Sequence, residues 1–119
     1  MNISTFLVAI AMVESGENDL ATGKAGETSR YQITPLVWRA YARPGESPIV
    51  QADAERVAVR FIEAELIPAL KRRERPVTVK SLAACWNYGP KASYSEWPRR
   101  VEDYAGRVAT LYELRMREE

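Results

Sequence analysis

Apolar residues recur at helical spacing at the start of the chain: Ile3, Leu7 and Ile10, with Phe6 and Val13 flanking the stripe and Glu14 continuing it. This period predicts a first helix that ends near Glu14-Ser15. Gly16 to Ser29 is polar, rich in turn residues and read as a loop. A short segment, Arg30 to Ile33, then leads into Thr34-Pro35, a capping residue followed by proline at the first helical position. The helix predicted there runs through Leu36, Val37 and Tyr41 and stops near Pro44-Gly45. Ser47-Pro48 repeats the start signal. Val57, Phe61, Leu66 and Leu70 mark a long helix, expected to bend near Pro68 and closed by Pro76. Thr78 is placed to cap a helix containing Val79, Leu82, Ala83 and Trp86, which stops near Gly89-Pro90. Beyond the polar aromatic loop Lys91 to Trp97, the residues Val101, Tyr104, Val108, Leu111 and Tyr112 form the stripe of a last helix. No alternating run predicts a strand beyond a residue or two around Tyr31. The expected fold is a mainly α globule of about five helices, a single domain over residues 1–119 without repeats or linkers.

Composition narrows the chemistry. Seventeen Lys+Arg against sixteen Asp+Glu leave a net charge of +1, which gives no global attraction to nucleic acid or an anionic membrane. The chain has no histidine and one cysteine, Cys85. Triads and dyads that need imidazole are excluded, as are intrachain disulfides and Cys-rich metal sites. No metal or cofactor is implied, so acid–base chemistry falls to carboxylates, Tyr or Lys. Cys85, with no histidine to activate it, reads as a buried small hydrophobe.

Met1 to Val13 is apolar, and Ala9-Ile10-Ala11 imitates a leader-peptide cleavage site. No Lys or Arg precedes the stretch, and it is too short to span a bilayer. It reads as the first helix of the domain, with no signal peptide visible and no membrane span.

Glu14 stands out on position alone. It continues a buried stripe and sits at a helix C-terminus, where the dipole disfavours negative charge. Both effects favour the protonated form and raise its pKa toward that of a general acid. A partly exposed helix-end glutamate is the plainer alternative.

Three further segments follow in order: Ser29-Arg30-Tyr31-Gln32-Ile33, Ala84-Cys85-Trp86-Asn87-Tyr88-Gly89-Pro90, and Glu102-Asp103-Tyr104 with Val108 and Tyr112. Together with Glu14-Ser15 they resemble the signatures of the lytic transglycosylase catalytic domain, a member of the lysozyme-like superfamily. The resemblance runs from Glu14 to Tyr112. Ser29 and Tyr31 replace the family's glycine and methionine, Trp86 its tyrosine, and Tyr88 a small residue. The groove floor is therefore expected to be bulkier.

The resemblance implies a lysozyme-like fold with a substrate cleft, acting as a monomer on peptidoglycan glycan strands at the cell wall. Glu14 would protonate the bond between MurNAc and GlcNAc and then serve as base while the MurNAc 6-hydroxyl closes a 1,6-anhydro ring. The implied groove residues are Ser15, Tyr31, Gln32, Trp86, Asn87, Tyr88 and Tyr104. Several have structural alternatives: Ser15 as helix terminator, Gln32 as turn residue, Asn87 as a left-handed helix end, Tyr104 as core aromatic. Of Trp86, Tyr88, Tyr94 and Trp97, two are expected to be packing residues. Glu17, Asp19 and Glu27 read as a solvated loop, with Asp19 and Glu27 open as a second carboxylate for a hydrolase. A catalytically silent glycan-binding module is a further alternative. The Lys71-Arg72-Arg73 run with Arg75 is assigned to a helix C-terminus rather than to nucleic acid.

Overall fold

The computed structural model describes residues 1–119. Its first helix, α1 (Ile3–Ser15), begins where the Asn2 side chain accepts from the Thr5 amide and ends on Gly16, whose left-handed φ of 66° returns its N–H to Ala11 and Met12. Phe6, Leu7 and Ile10 are fully buried, each contributing about 1.5–3 kcal/mol of apolar burial.

The long C-terminal helix α6 (Arg99–Glu118) covers α1. The Asn2 amide donates to the Tyr112 hydroxyl, and Thr5 Oγ1 donates to Glu119. Glu14, at the other end of α1, meets Tyr104. The two helices are therefore antiparallel, which brings the end of α1 to the start of α6. The α5 helix (Val79–Tyr88) packs most extensively on α6. It starts with a capping box between Thr78 and Ser81.

Between these lie α2 (Pro35–Tyr41), capped by Thr34 with Pro35 at its start, and α3 (Gln51–Phe61). Ser47-Pro48 does not start α3. Val50 precedes the first turn without a side-chain cap, and the Ser47 amide donates to Asp53. The bend expected at Pro68 is a widened turn just before it. A π-helical turn (Ile62–Leu66) carries the chain into α4 (Ile67–Arg72), with the Ile67 amide reaching back to Ile62. The wider turn makes room for a proline that supplies no N–H. A 3₁₀ turn, Pro90–Ser93, overlaps the start of the loop expected over Lys91 to Trp97.

With α3, the π turn and α4 counted as one rod, the chain is a mainly helical globule of five rods, as the apolar stripes predict. Only isolated bridges, Thr22 with Thr28 and Thr28 with Ile33, interrupt the helical pattern. Buried hydrophobic residues, all but Ala69, form one core of 24, and the radius of gyration is 13.5 Å, the size expected of one domain this long. No helix is long and apolar enough to cross a membrane.

Candidate active site

Glu14 lies half-buried in the last turn of α1. Tyr104 donates from its hydroxyl to Glu14 Oε2 at 2.8 Å. Burial raises the Glu14 carboxyl above its ordinary value of 4.5; the Tyr104 hydrogen bond opposes the rise, and the charge of Glu27 adds to it. The negative end of the α1 dipole acts in the raising direction as well. Tyr104 is 9% exposed. Its burial, and then the neighbouring carboxylate, push the phenol far above its usual range, so it remains a donor. The geometry is that of a carboxyl group whose protonated form is favoured by burial and which is aimed by one hydroxyl.

The loop after α1 is tied to the helix end. Ser15 Oγ donates to the Arg30 carbonyl at 2.7 Å and accepts from the Asn18 amide at 3.0 Å. Asp19 grips Arg30 through two bonds, Oδ1 to Nε at 2.7 Å and Oδ2 to Nη2 at 3.0 Å, and that hydrogen bonding holds its carboxyl below the usual range. Ser29 and Gln32, both at positive φ, form the corners of a tight turn closed by two backbone hydrogen bonds between Thr28 and Ile33. A left-handed backbone at non-glycine residues is a strained feature held by its surroundings.

Gln32 uses its amide donors internally, on the carbonyls of Ala21 at 3.2 Å and Ser29 at 2.9 Å. Its Oε1 is left as an acceptor. That oxygen and the Glu27 carboxylate both crowd the spot where a Cβ on Gly23 would stand. Glycine at 23 thus leaves room for the ends of both side chains.

Gln32 also lines a cavity of about 500 Å³. Leu36 and Val37 of α2, Phe61 and Glu65 near the π turn, and Cys85, Trp86, Asn87 and Tyr88 at the end of α5 are among the other residues of its wall. Trp86 is fixed by its Nε1–H to the Tyr31 carbonyl at 3.3 Å and by an edge contact with Phe61, ring centroids 5.8 Å apart. The half-buried Trp86 and Tyr88 rings, with the amides of Gln32 and Asn87, give the wall both apolar faces and polar groups.

Of the residues singled out from sequence, Gln32, Trp86, Asn87 and Tyr88 line this cavity; Glu14, Ser15, Tyr31 and Tyr104 do not. Tyr31 is corrected: at 3% exposure its ring is part of the core, because the Ser29–Gln32 turn points it inward. Its carbonyl, not its ring, serves the site by holding Trp86. Ser15 and Tyr104 likewise act on neighbouring protein groups, the loop and Glu14. Asn87 is not a left-handed helix end but lies within α5, which ends on Gly89 at a positive φ of 87°.

Tyr94 and Trp97 lie outside the cavity wall, under Arg73 and Arg75 respectively. Cys85 is fully buried, and burial raises its thiol to about 11, which fits packing rather than nucleophilic chemistry. Asp19 is committed to Arg30, whereas Glu27 comes near Glu14 despite its place in a polar loop. Glu65 was missed altogether, since an exposed glutamate on a helix carries no pattern until the π turn sets it on the cavity wall.

Compared with known protein families, curated proteins and solved structures, the chain matches no family model, no curated protein and no solved structure.

Proposed function

We propose that the protein is a peptidoglycan-cleaving glycosidase of lysozyme-like fold, a lytic transglycosylase acting on the β-1,4 bond between MurNAc and GlcNAc. The observation that carries the proposal is the Glu14–Tyr104 pair, a half-buried carboxyl with raised pKa held by a buried phenol. It is supported by the in-order resemblance of the Glu14, Gln32, Asn87 and Tyr104 segments to that family, and by a cavity lined in part by Gln32, Trp86, Asn87 and Tyr88.

In this mechanism the Glu14 proton passes to the glycosidic oxygen as the bond to MurNAc C1 breaks. Positive charge develops on the sugar ring. The Glu14 carboxylate then takes the proton of the MurNAc 6-hydroxyl, whose oxygen bonds to C1. The acid is regenerated and no water is consumed. Tyr104 orients the carboxyl and stabilises its ionised form between the two proton transfers. Gln32 contributes an acceptor for a sugar hydroxyl or amide N–H, and Trp86 and Tyr88 offer faces for sugar rings.

One observation favours a second reading. Glu27 lies close enough to influence Glu14, and a second carboxylate able to activate water would make the enzyme a hydrolase on the same bond. Digestion of purified peptidoglycan, with the released muropeptides identified by mass spectrometry, separates the two. Anhydro ends are expected. Reducing ends would make it a lysozyme-type hydrolase, and binding without products would leave a glycan-binding module.

A further inference from the structure

Tyr88, part of the cavity wall, carries two cations on its ring. Lys91 Nζ lies 4.0 Å from the ring centroid and Arg100 Cζ lies 5.5 Å from it. Arg100 is fixed further by Nη1 donating to Asn87 Oδ1 at 3.3 Å, and Asn87 is another cavity residue. Neither cation has a carboxylate partner: the ion pairs of the chain use Arg30, Arg56, Arg60 and Lys80 instead. Arg99 and Arg100 also open α6, whose capping residue Pro98 makes no side-chain bond to the helix. Cations at a helix N-terminus oppose the dipole, so helix stability does not account for them. The result is a positive rim, positioned by an aromatic ring and an amide, at the edge of the cavity. Inside the cavity the single charged residue is Glu65.

We propose that Lys91 and Arg100 form a carboxylate-binding rim that engages the peptide stems of the glycan strand. The inference rests on the glycan-cleaving reading above and specifies its substrate: strands that bear peptides with free carboxylates, in preference to bare glycan. The stem is attached to the lactyl group of MurNAc, and Lys91 and Arg100 border the cavity through Tyr88 and Asn87, where a stem leaving a sugar seated there on that side would meet them. Two cations on one ring address a localised anion. A polyphosphate backbone would instead meet a chain of net charge +1 and the Glu65 carboxylate in the cavity.

The test is equilibrium binding, followed by tryptophan fluorescence, in a Glu14→Gln background that prevents turnover. Two glycan oligomers are compared, one with tetrapeptide stems and one stripped of peptide by an amidase, with the lactyl carboxylates that this hydrolysis frees then capped as methyl amides so that the bare strand carries no anion. The stem-bearing oligomer is expected to bind about tenfold more tightly at low salt, a preference that shrinks as sodium chloride screens the rim. In the Lys91→Gln/Arg100→Gln variant the ratio should fall toward one, with circular dichroism confirming the fold. Equal affinity of the parent for both oligomers, or a ratio that survives the double substitution, overturns the proposal. So does duplex DNA binding that is lost in the same variant while the glycan ratio stays at one. If neither oligomer binds, including the bare strand that does not need the rim, the glycan reading itself fails.

Discussion

The Tyr104 hydroxyl donates to Glu14 Oε2 at 2.8 Å across the antiparallel α1–α6 contact, from a side chain almost fully buried. One hydrogen bond therefore couples the charge state of the candidate acid to the packing of the two helices.

That coupling sets opposite signs for two substitutions. The Tyr104 hydrogen bond lowers the Glu14 pKa, whereas the Glu27 charge raises it. A general acid works while protonated, so activity falls as pH rises through its pKa. Tyr104→Phe is expected to move that basic limb to higher pH, and Glu27→Gln to move it to lower pH. Both are read from the pH dependence of kcat/KM. A common direction for the two variants would refute the electrostatic account of Glu14.

Glu14 should also cost stability. Its folded pKa lies above the ordinary 4.5, so the unfolded chain loses this proton first as pH rises. The native state then becomes progressively less favourable until the folded carboxyl ionises too. Glu14→Gln keeps an oxygen for Tyr104 and removes the charge. Its Tm at pH 7 should exceed that of the wild type, and the gain should disappear below pH 4. Thermal melts at the two pH values check this; a lower Tm at pH 7 would contradict it.

Gly23 tests the placement of Glu27 and Gln32, which act on the acid and the cavity wall respectively. A Cβ there would overlap the ends of Glu27 and Gln32, both flexible side chains that can move aside. Gly23→Ala is expected to change stability by no more than about 1 kcal/mol while lowering activity by about 10- to 100-fold. Urea unfolding and turnover, measured on the same preparation, separate the two effects. A large stability loss with matching activity loss would make the glycine structural only.

Away from the site, Glu46 braces the α2–α3 connection. It takes two bonds from Arg60, at 2.6 and 2.8 Å, and one from the Arg43 amide at 2.7 Å. Hydrogen bonding, first from Arg60 and then from Arg43, holds its pKa down at about 2. Its contribution is present above the ordinary carboxylate range and is lost as pH falls through about 2. Glu46→Gln should therefore lower Tm at pH 7 and converge with the wild type near pH 2.

The helices were legible in the sequence because burying one face of a helix imposes a period on the residues that line it. Ile3, Leu7 and Ile10 carry that period, and so do Val101, Tyr104 and Val108. Glu14 was legible for the same reason, as the polar member of an apolar stripe at a helix end. Tyr31 was not: an aromatic in a polar loop has no period, and its inward direction follows from left-handed φ at Ser29 and Gln32, residues that local rules do not assign to such turns. Glu27 was legible only as one of two loop carboxylates open to a second role; its influence on Glu14 depends on how the loop folds, which the residue pattern does not give. The π turn that sets Glu65 on the cavity wall depends on relief around Pro68 and leaves no separate mark in the residue pattern.

The most direct measurement of the central claim is the muropeptide yield from purified peptidoglycan with wild-type protein and with Glu14→Gln, on preparations with matched folding by circular dichroism. A general acid contributes about 10²–10⁴-fold in rate, so the variant should release products at least about a hundredfold more slowly while the wild type releases anhydro-ended fragments. Identical digests from the two proteins would show that Glu14 is not the acid.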